Sequence, residues 1–283
     1  MSNYIYENHF HRDPNFPVIF HCDILNKNRP SFLMHYHENI ELLYFLDGHA
    51  KIVCNNKILQ AKADDIIIIN SKELHSIEKI SDSCKYYCLI IDKDLLNDNL
   101  NDFDNFRFKN LVKDSFLKTK IEEINREINN KNDYFKEFIK SDILQILIHI
   151  KRNHVEKNSS LIKIKDNNKI LMVREIINYL KENYKEEISI DHICNHVAFS
   201  KYYTCRTFKE VTGQTILDYI NHIRCINARN LILYNGYTIS ESAYKSGFNN
   251  LSYFSKTYKK YMGFLPSCCL LYTSDAADEQ YIV

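Results

Sequence analysis

The 283-residue sequence predicts an α+β protein of two domains, β-rich in its amino-terminal part and all-helical at its carboxyl-terminal end. Three observations carry that prediction. Short β-branched and aromatic runs separated by turn dipeptides fill the first hundred residues. From about Leu111 the apolar residues recur at helical spacing. The last third contains one helical pattern twice. At roughly 150 residues per domain, the length suits two domains.

The strand-like runs are Ile40–Leu46, Ala50–Cys54, Asp65–Asn70 and Tyr86–Ile91. Asp47-Gly48 and Asn55-Asn56 lie between such runs and read as hairpin turns. Several short strands at regular spacing suggest a sandwich or small barrel over residues 1–110. Beyond it, Ile121, Ile124 and Ile128, then Ile139, Ile143, Leu144, Leu147 and Ile148, predict two amphipathic helices within 111–157, joined near 129–133. Their apolar stripes can pack on the protein's own barrel or against a second copy as a dimerisation segment. The polar stretch 158–169 reads as a linker, and 170–267 as helix throughout.

Rare residues exclude several functions. The five glycines form no phosphate-binding loop and no nucleophile elbow, so nucleotide-binding and hydrolase readings fall away. Nine cysteines, odd in number and without a C-x-x-C pair, read as reduced thiols. The first residues lack the pattern of a secretory signal, and no window approaches eighteen uninterrupted apolar residues. A soluble, cytoplasmic protein with no membrane partner is expected.

The formal net charge of +1 conceals a partition. Residues 1–110 carry 12 basic and 16 acidic side chains, 111–169 carry 13 and 9, and 170–267 carry 12 and 8. An acidic amino-terminal part thus offsets two basic segments, which favours an anionic partner for the carboxyl-terminal end. The last segment, 268–283, has no Lys or Arg and three acidic residues. Its abrupt change of composition predicts disorder and suggests a non-native tail.

The repeat places Phe208-Lys-Glu-Val-Thr-Gly213 against Tyr258-Lys-Lys-Tyr-Met-Gly263. Upstream, Ser189–Ser200 aligns with Thr238–Asn249. Ser189 and the Thr238-x-x-Glu241 capping box each open a short helix. Ala198-Phe199 or Gly247-Phe248 makes a turn, and Ser200, or Asn249 or Asn250, caps the next helix. This is the helix-turn-helix pattern. One helix, Thr215 to Tyr234 and about 30 Å long, separates the copies. Two recognition helices held that way suit successive major grooves, since one turn of DNA is roughly 34 Å.

The run Phe199–Gly213 with Arg224 and Ala228-Arg229, and above all Ala243–Ser267 with its Gly247-Phe248 and Gly263-x-x-Pro266, resembles the AraC/XylS DNA-binding domain. The resemblance covers about 170–267. It implies a bacterial transcription regulator binding double-stranded DNA, typically as a homodimer, with RNA polymerase as a further partner. It assigns base reading to Tyr202, Cys205 and Arg206 of the first recognition helix. In the second, the matching residues are Leu251, Ser252, Ser255 and Lys256. Lys201, Lys209, Lys259 and Lys260 would face phosphates or remain solvated. Phe208, Val211, Ile220, Ile223, Phe254 and Tyr258 would form the core. Thr204 and Ser242 depart from the pattern, standing where the family usually has an aliphatic residue, so each hydroxyl needs a partner or costs about 1–3 kcal/mol.

In the amino-terminal domain, His35-Tyr-His37-x-x-x-Glu41, followed seven residues later by Gly48, resembles the first cupin motif. His75 stands where the second motif has its histidine. The predicted fold is therefore a cupin-like β-barrel followed by helices, then an all-α domain with two helix-turn-helix motifs. In cupin enzymes such a set binds a divalent metal. In AraC-type regulators the corresponding barrel is an effector site, and His35, His37, Glu41 and His75 would line it. The expectation is a ligand-responsive regulator that is no enzyme and carries no cofactor. A metal-dependent cupin enzyme with an appended helical domain is the alternative.

Overall fold

A computed structural model describes residues 16, 18–26, 31–55, 57–92, 95, 106–156 and 168–268. The predicted linker (apart from 168 and 169) and all but the first residue of the predicted tail lie outside them. The chain divides into two compact units, one essentially 10–165 and the other essentially 166–278. Among the described residues no helix is long and apolar enough to cross a membrane, and no disulfide joins the cysteines.

The amino-terminal unit is built on β1 (Val18–Leu25), β2 (Ser31–His35), β3 (Ile40–Cys54), β4 (Lys57–Lys62), β5 (Ile66–Ile69), β6 (His75–Ile91) and β7 (Leu111–Val112). They form one seven-stranded antiparallel arrangement in the order β1-β6-β3-β5-β7, with β2 added to β6 and β4 added to β3. The two long strands bend the sheet back on itself. The first part of β3 pairs with β5 and its second part with β4, while β6 pairs with β2 near its start and β1 near its end.

Asp47-Gly48 is not the hairpin turn that the sequence suggests. Strand β3 runs through it unbroken, and its register to β6 shifts on both sides, between Phe45 and Asp47 and between Gly48 and Ala50. Gly48 has φ +78°, and a Cβ there would collide with the Ser83 carbonyl oxygen. A glycine in this conformation suits a bulge as well as a turn, and a bulge bends a strand without ending it. Asn55, by contrast, does turn the chain, with Cys54 facing Lys57 across the β3–β4 hairpin.

Helices α1 (Ser115–Asn130) and α2 (Phe135–Asn153) follow. Ile121, Ile124 and Ile128 with Ile139, Ile143 and Leu147 join a core with Leu42, Tyr44, Ile66, Ile68 and Leu89 as expected, but Ile146 and Ile150 complete the second stripe, Leu144 being half-buried and Ile148 exposed. The alternate residues Leu43, Phe45, Ile67, Ile69 and Ile90 form a second core inside the folded sheet. Strand β5 is thus buried on both faces, which is why its sequence is four isoleucines with no polar alternation.

The carboxyl-terminal unit contains α3 (Asn168–Asn183), α4 (Ile190–Val197), α5 (Lys201–Thr212), α6 (Ile216–Tyr234), α7 (Ile239–Lys245) and α8 (Leu251–Met262). Helix α3 packs on α4 and α5, whereas α6 packs chiefly on α7 and α8. Phe208, Ile220, Ile223, Phe254 and Tyr258 are buried as expected, but Val211 is only half-buried.

Candidate functional site

The two helix-turn-helix units are assembled by local capping. Ser189 Oγ accepts the His192 amide hydrogen at the start of α4, and Ser200 Oγ accepts that of Tyr203 at the start of α5. In the second copy Thr238 and Glu241 complete a reciprocal capping box, and Asn250 Oδ1 accepts the Tyr253 amide at 2.8 Å. Each cap satisfies backbone donors that would otherwise lack partners, and so fixes where its helix begins.

The two turns differ. Ala198 holds a left-handed conformation with φ +58° and makes the first turn, but the following Phe199 is 42% exposed and leaves that turn without a buried aromatic anchor. Phe248 is buried and does anchor the second. At Gly247 (φ +89°) a Cβ would crowd the Tyr184 carbonyl oxygen at 2.7 Å and Arg224 Nε at 3.0 Å. Arg224 donates to the carbonyls of Tyr184 (2.7 Å) and Glu186 (2.8 Å). Its guanidinium therefore ties the end of α3 to the second turn.

Helix α5 presents Tyr202, Cys205, Arg206 and Lys209 at positions i, i+3, i+4 and i+7, one stripe of its surface. Tyr202 is 74% exposed, Arg206 and Lys209 are exposed, and Cys205 is half-buried. Thr204, Thr207 and Phe208 occupy the buried side. Helix α8 repeats the division: Ser252, Ser255, Lys256 and Lys259 share a stripe beside exposed Leu251, and Phe254, Thr257 and Tyr258 are buried.

Several of these cations already have partners. Arg206 Nε donates to Glu210 (2.9 Å) and Nη1 to the Tyr202 hydroxyl (3.4 Å). Lys201 pairs with Asp191 at 3.0 Å. Lys260 pairs with Asp218 at 2.6 Å, which raises the ammonium to about 12 and lowers the carboxyl to about 2. Lys209, Lys256 and Lys259 form no ion pair among the described residues. Next to Lys260, the His222 ring stacks on Tyr261 at 4.7 Å. Desolvation, reinforced by the Lys260 ammonium, lowers His222 to about 4.

In the other unit His35, His37 and His75 do converge. Their rings lie 4.1 Å (His35 to His75), 5.0 Å (His37 to His75) and 5.9 Å (His35 to His37) apart. Glu41 Oε2 lies 3.0 Å from His37 Nε2 and 3.1 Å from His75 Nε2. All three histidines direct Nδ1 at a backbone carbonyl: Leu33 (2.7 Å), Asn39 (3.1 Å) and Glu73 (2.8 Å). A carbonyl only accepts, so each Nδ1 carries hydrogen and each Nε2 is left to face the others and the carboxylate. A lone pair and a carboxylate oxygen at 3 Å repel unless a proton or a cation lies between them. The donor set, three imidazoles and a carboxylate oriented from behind, fits a divalent transition metal.

The turn carrying His75 is held by buried Glu73. Its carboxylate accepts from Asn110 (2.6 Å), Asn70 (3.1 Å), Asn55 (3.3 Å) and the Arg107 guanidinium. Asn70, which gives no functional signal in the sequence, is thus part of the scaffold.

Three further side chains border the histidine site. Cys88 Sγ donates to Glu41 Oε1 at 3.1 Å. His21 and Asp23, bonded to each other at 2.9 Å, place ligand atoms within 4.8 Å of Cys88. The only sequence signal for them is a pair of polar residues at i and i+2 in the apolar strand Val18–Leu25, which puts both on the interior face.

Comparison with known proteins gives two family matches. Residues 22–147 match an AraC-like ligand binding domain and residues 193–270 a helix-turn-helix domain. The chain is 23% identical over 270 residues to the HTH-type transcriptional regulator YdeC of Bacillus subtilis, covering 90% of this chain and 92% of that protein. It is 35% identical over 95 residues to the transcriptional regulatory protein HptR of Staphylococcus aureus, a match covering 34% of this chain and 37% of that one. Among solved structures, ToxT from Vibrio cholerae superposes with a TM-score of 0.52 at 20% identity, over 89% of this chain and 98% of that chain. A second ToxT structure, bound to an unsaturated fatty acid, gives 0.51 at 19% identity, over 88% and 93%. With both halves matched in the expected order, the chain belongs to the AraC family, a ligand-responsive DNA-binding transcription regulator that joins an AraC-like ligand binding domain to a tandem helix-turn-helix domain.

Proposed function

We propose that the chain reads an operator through Tyr202, Cys205 and Arg206 of α5 and Leu251, Ser252, Ser255 and Lys256 of α8. One observation carries this reading: both repeat-related helices bury one side and expose a polar, partly cationic stripe at the same positions. Arg206 suits bidentate recognition of guanine O6 and N7, and Glu210 pre-orients it. Lys209 and Lys259, without ion pairs among the described residues, are the first candidates for phosphates. Lys201 and Lys260 must exchange Asp191 and Asp218 for them.

In this reading residues 1–110 sense an effector through His35, His37, Glu41 and His75. The helices of 111–157 join two copies, a role supported by exposed Phe138 (48%) and Ile148 (40%) on α2. The family neighbour ToxT holds a fatty acid, and protonation of the inward-facing Nε2 atoms of His35, His37 and His75 would let this cluster bind the carboxylate of such an acid. A second reading is that a divalent metal occupies the histidine site and recruits the effector. It is favoured by the three Nδ1–carbonyl contacts.

Footprinting on the DNA beside the protein's own gene tests the operator reading. Arg206→Ala and Lys256→Ala should each weaken protection at least tenfold; unchanged footprints would defeat the assignment. For the effector site, His37→Gln should abolish the thermal shift produced by a binding carboxylic acid. Metal lost from purified protein in the same variant would select the second reading.

A further inference from the structure

A second cluster of ligating groups lies outside everything considered above, where β7 meets the helical hairpin. Asp114 Oδ2 lies 2.8 Å from His149 Nε2 and 2.8 Å from His154 Nε2. The three ligand atoms are all within 4.8 Å of one another. They come from the residue before α1, the last turns of α2 and the residue just after it.

Each group is positioned by something other than its neighbours in the cluster. Asp114 caps α1 through its other oxygen, Oδ1, which accepts the Leu117 amide at 3.0 Å. The His149 ring stacks on Phe116 with centroids 4.4 Å apart, and its Nδ1 lies 3.3 Å from the Asn153 amide nitrogen. His154 is held through its backbone, donating to the Ile150 carbonyl and accepting from the Lys109 amide, both near 2.9 Å.

The electrostatics favour a cation. The carboxyl-terminal end of α2, with its partial negative charge, contributes both histidines. The lysines flanking Asp114 point their ammonium groups elsewhere, Lys113 to Asp65 (3.6 Å) and Lys118 to Asp64 (2.6 Å). Side-chain exposures of 13% for Asp114 and His154 and 23% for His149 leave room for water on the outer side.

We infer that Asp114, His149 and His154 form a site for a divalent transition metal of the zinc class, with water completing the coordination. Two imidazoles and one carboxylate converging on one point, with an open side, are a recurrent donor set for such ions. On binding, each neutral imidazole offers its Nε2 lone pair, its one hydrogen moving through solvent from Nε2 to Nδ1; at His149 the Asn153 amide then rotates to turn its oxygen towards that Nδ1–H. The ion would join the start of α1 to the end of α2 and so lock the open end of the hairpin. The inference is independent of the effector site and of DNA binding.

Zinc titration of the metal-stripped full chain, by calorimetry, tests it. Asp114→Asn is the informative variant, because asparagine caps a helix as well as aspartate but brings no charge. Wild type should bind zinc with a thermal stabilisation. Asp114→Asn and His154→Gln should each lose one equivalent or weaken it at least tenfold. His37→Gln, which disables only the other histidine cluster, should retain that equivalent. Unchanged zinc stoichiometry and affinity in folded Asp114→Asn and His154→Gln would overturn the inference, and so would a wild type whose only zinc disappears with His37→Gln.

Discussion

A hydroxyl buried without a hydrogen-bond partner costs about 1–3 kcal/mol. Thr204 and Ser242 are both fully buried, and neither Thr204 Oγ1 nor Ser242 Oγ has a partner among the described residues. They lie on inward faces, Thr204 in the second helix of the first copy (α5) and Ser242 in the first helix of the second copy (α7). Thr204→Val and Ser242→Ala should therefore each raise the unfolding free energy by about 1 kcal/mol in urea. A loss of stability in both would mean that the hydroxyls are satisfied. The sequence identifies this liability through the resemblance, because both residues stand where the AraC/XylS pattern usually has an aliphatic side chain. It does not identify His21, Asp23 or Cys88 as neighbours of the histidine site, because their proximity depends on β1, β3 and β6 lying side by side.

Titration of a single residue also sets a pH dependence. His222 is lowered to about 4 in the folded chain, against an ordinary value near 6.5. As pH falls, the unfolded chain takes up this proton first, so the stabilisation is complete above about 6.5 and is lost between there and about 4. The loss from this group is at most about 3 kcal/mol. Asp218, lowered to about 2, acts in a separate window, between about 4 and 2. Urea melts of the helical unit at pH 7 and pH 4.5 should differ accordingly, and His222→Gln should flatten the upper window. An unaltered pH profile in that variant would show that the histidine is not responsible.

At the scale of elements, what depends on a few adjacent residues was legible and what depends on pairing across the sheet was not. The caps Ser189, Ser200 and Thr238 occupy the places their spacing suggests, and of Asn249 and Asn250 it is Asn250 that caps α8, since a cap needs only the next three residues. Gly48 could be read as a turn because positive φ serves both turn and bulge, and only the register with β6 separates them. Strands β1, β2 and β4 lacked a comparable local signal. The loop before β6 depends on a buried charge: Glu73 is 1% exposed and faces the Arg107 guanidinium. Removing one partner of such a pair costs about 3–5 kcal/mol. Arg107→Ala should destabilise the amino-terminal unit by that order and disturb His75. A change below about 1 kcal/mol would contradict the role given to this network.

For the whole molecule, net charge is less informative than its distribution. The acidic 1–110 region masks a carboxyl-terminal part whose exposed cations include Arg206 and Lys209 on α5 and Lys256 and Lys259 on α8. Binding that neutralises phosphates releases counterions, so operator affinity should fall steeply with salt. A lysine that touches phosphate and an arginine that reads a base have different signatures. The decisive measurement is the affinity of wild type, Arg206→Ala and Lys209→Ala for the operator, for operators changed at single base pairs, and for random DNA, across a salt series. The account predicts that Arg206→Ala costs about 1–3 kcal/mol and loses discrimination at one base pair. Lys209→Ala should weaken all sequences alike and reduce the salt slope by about one. Equal affinity of the wild type for operator and random DNA, or full discrimination retained by Arg206→Ala, would contradict it.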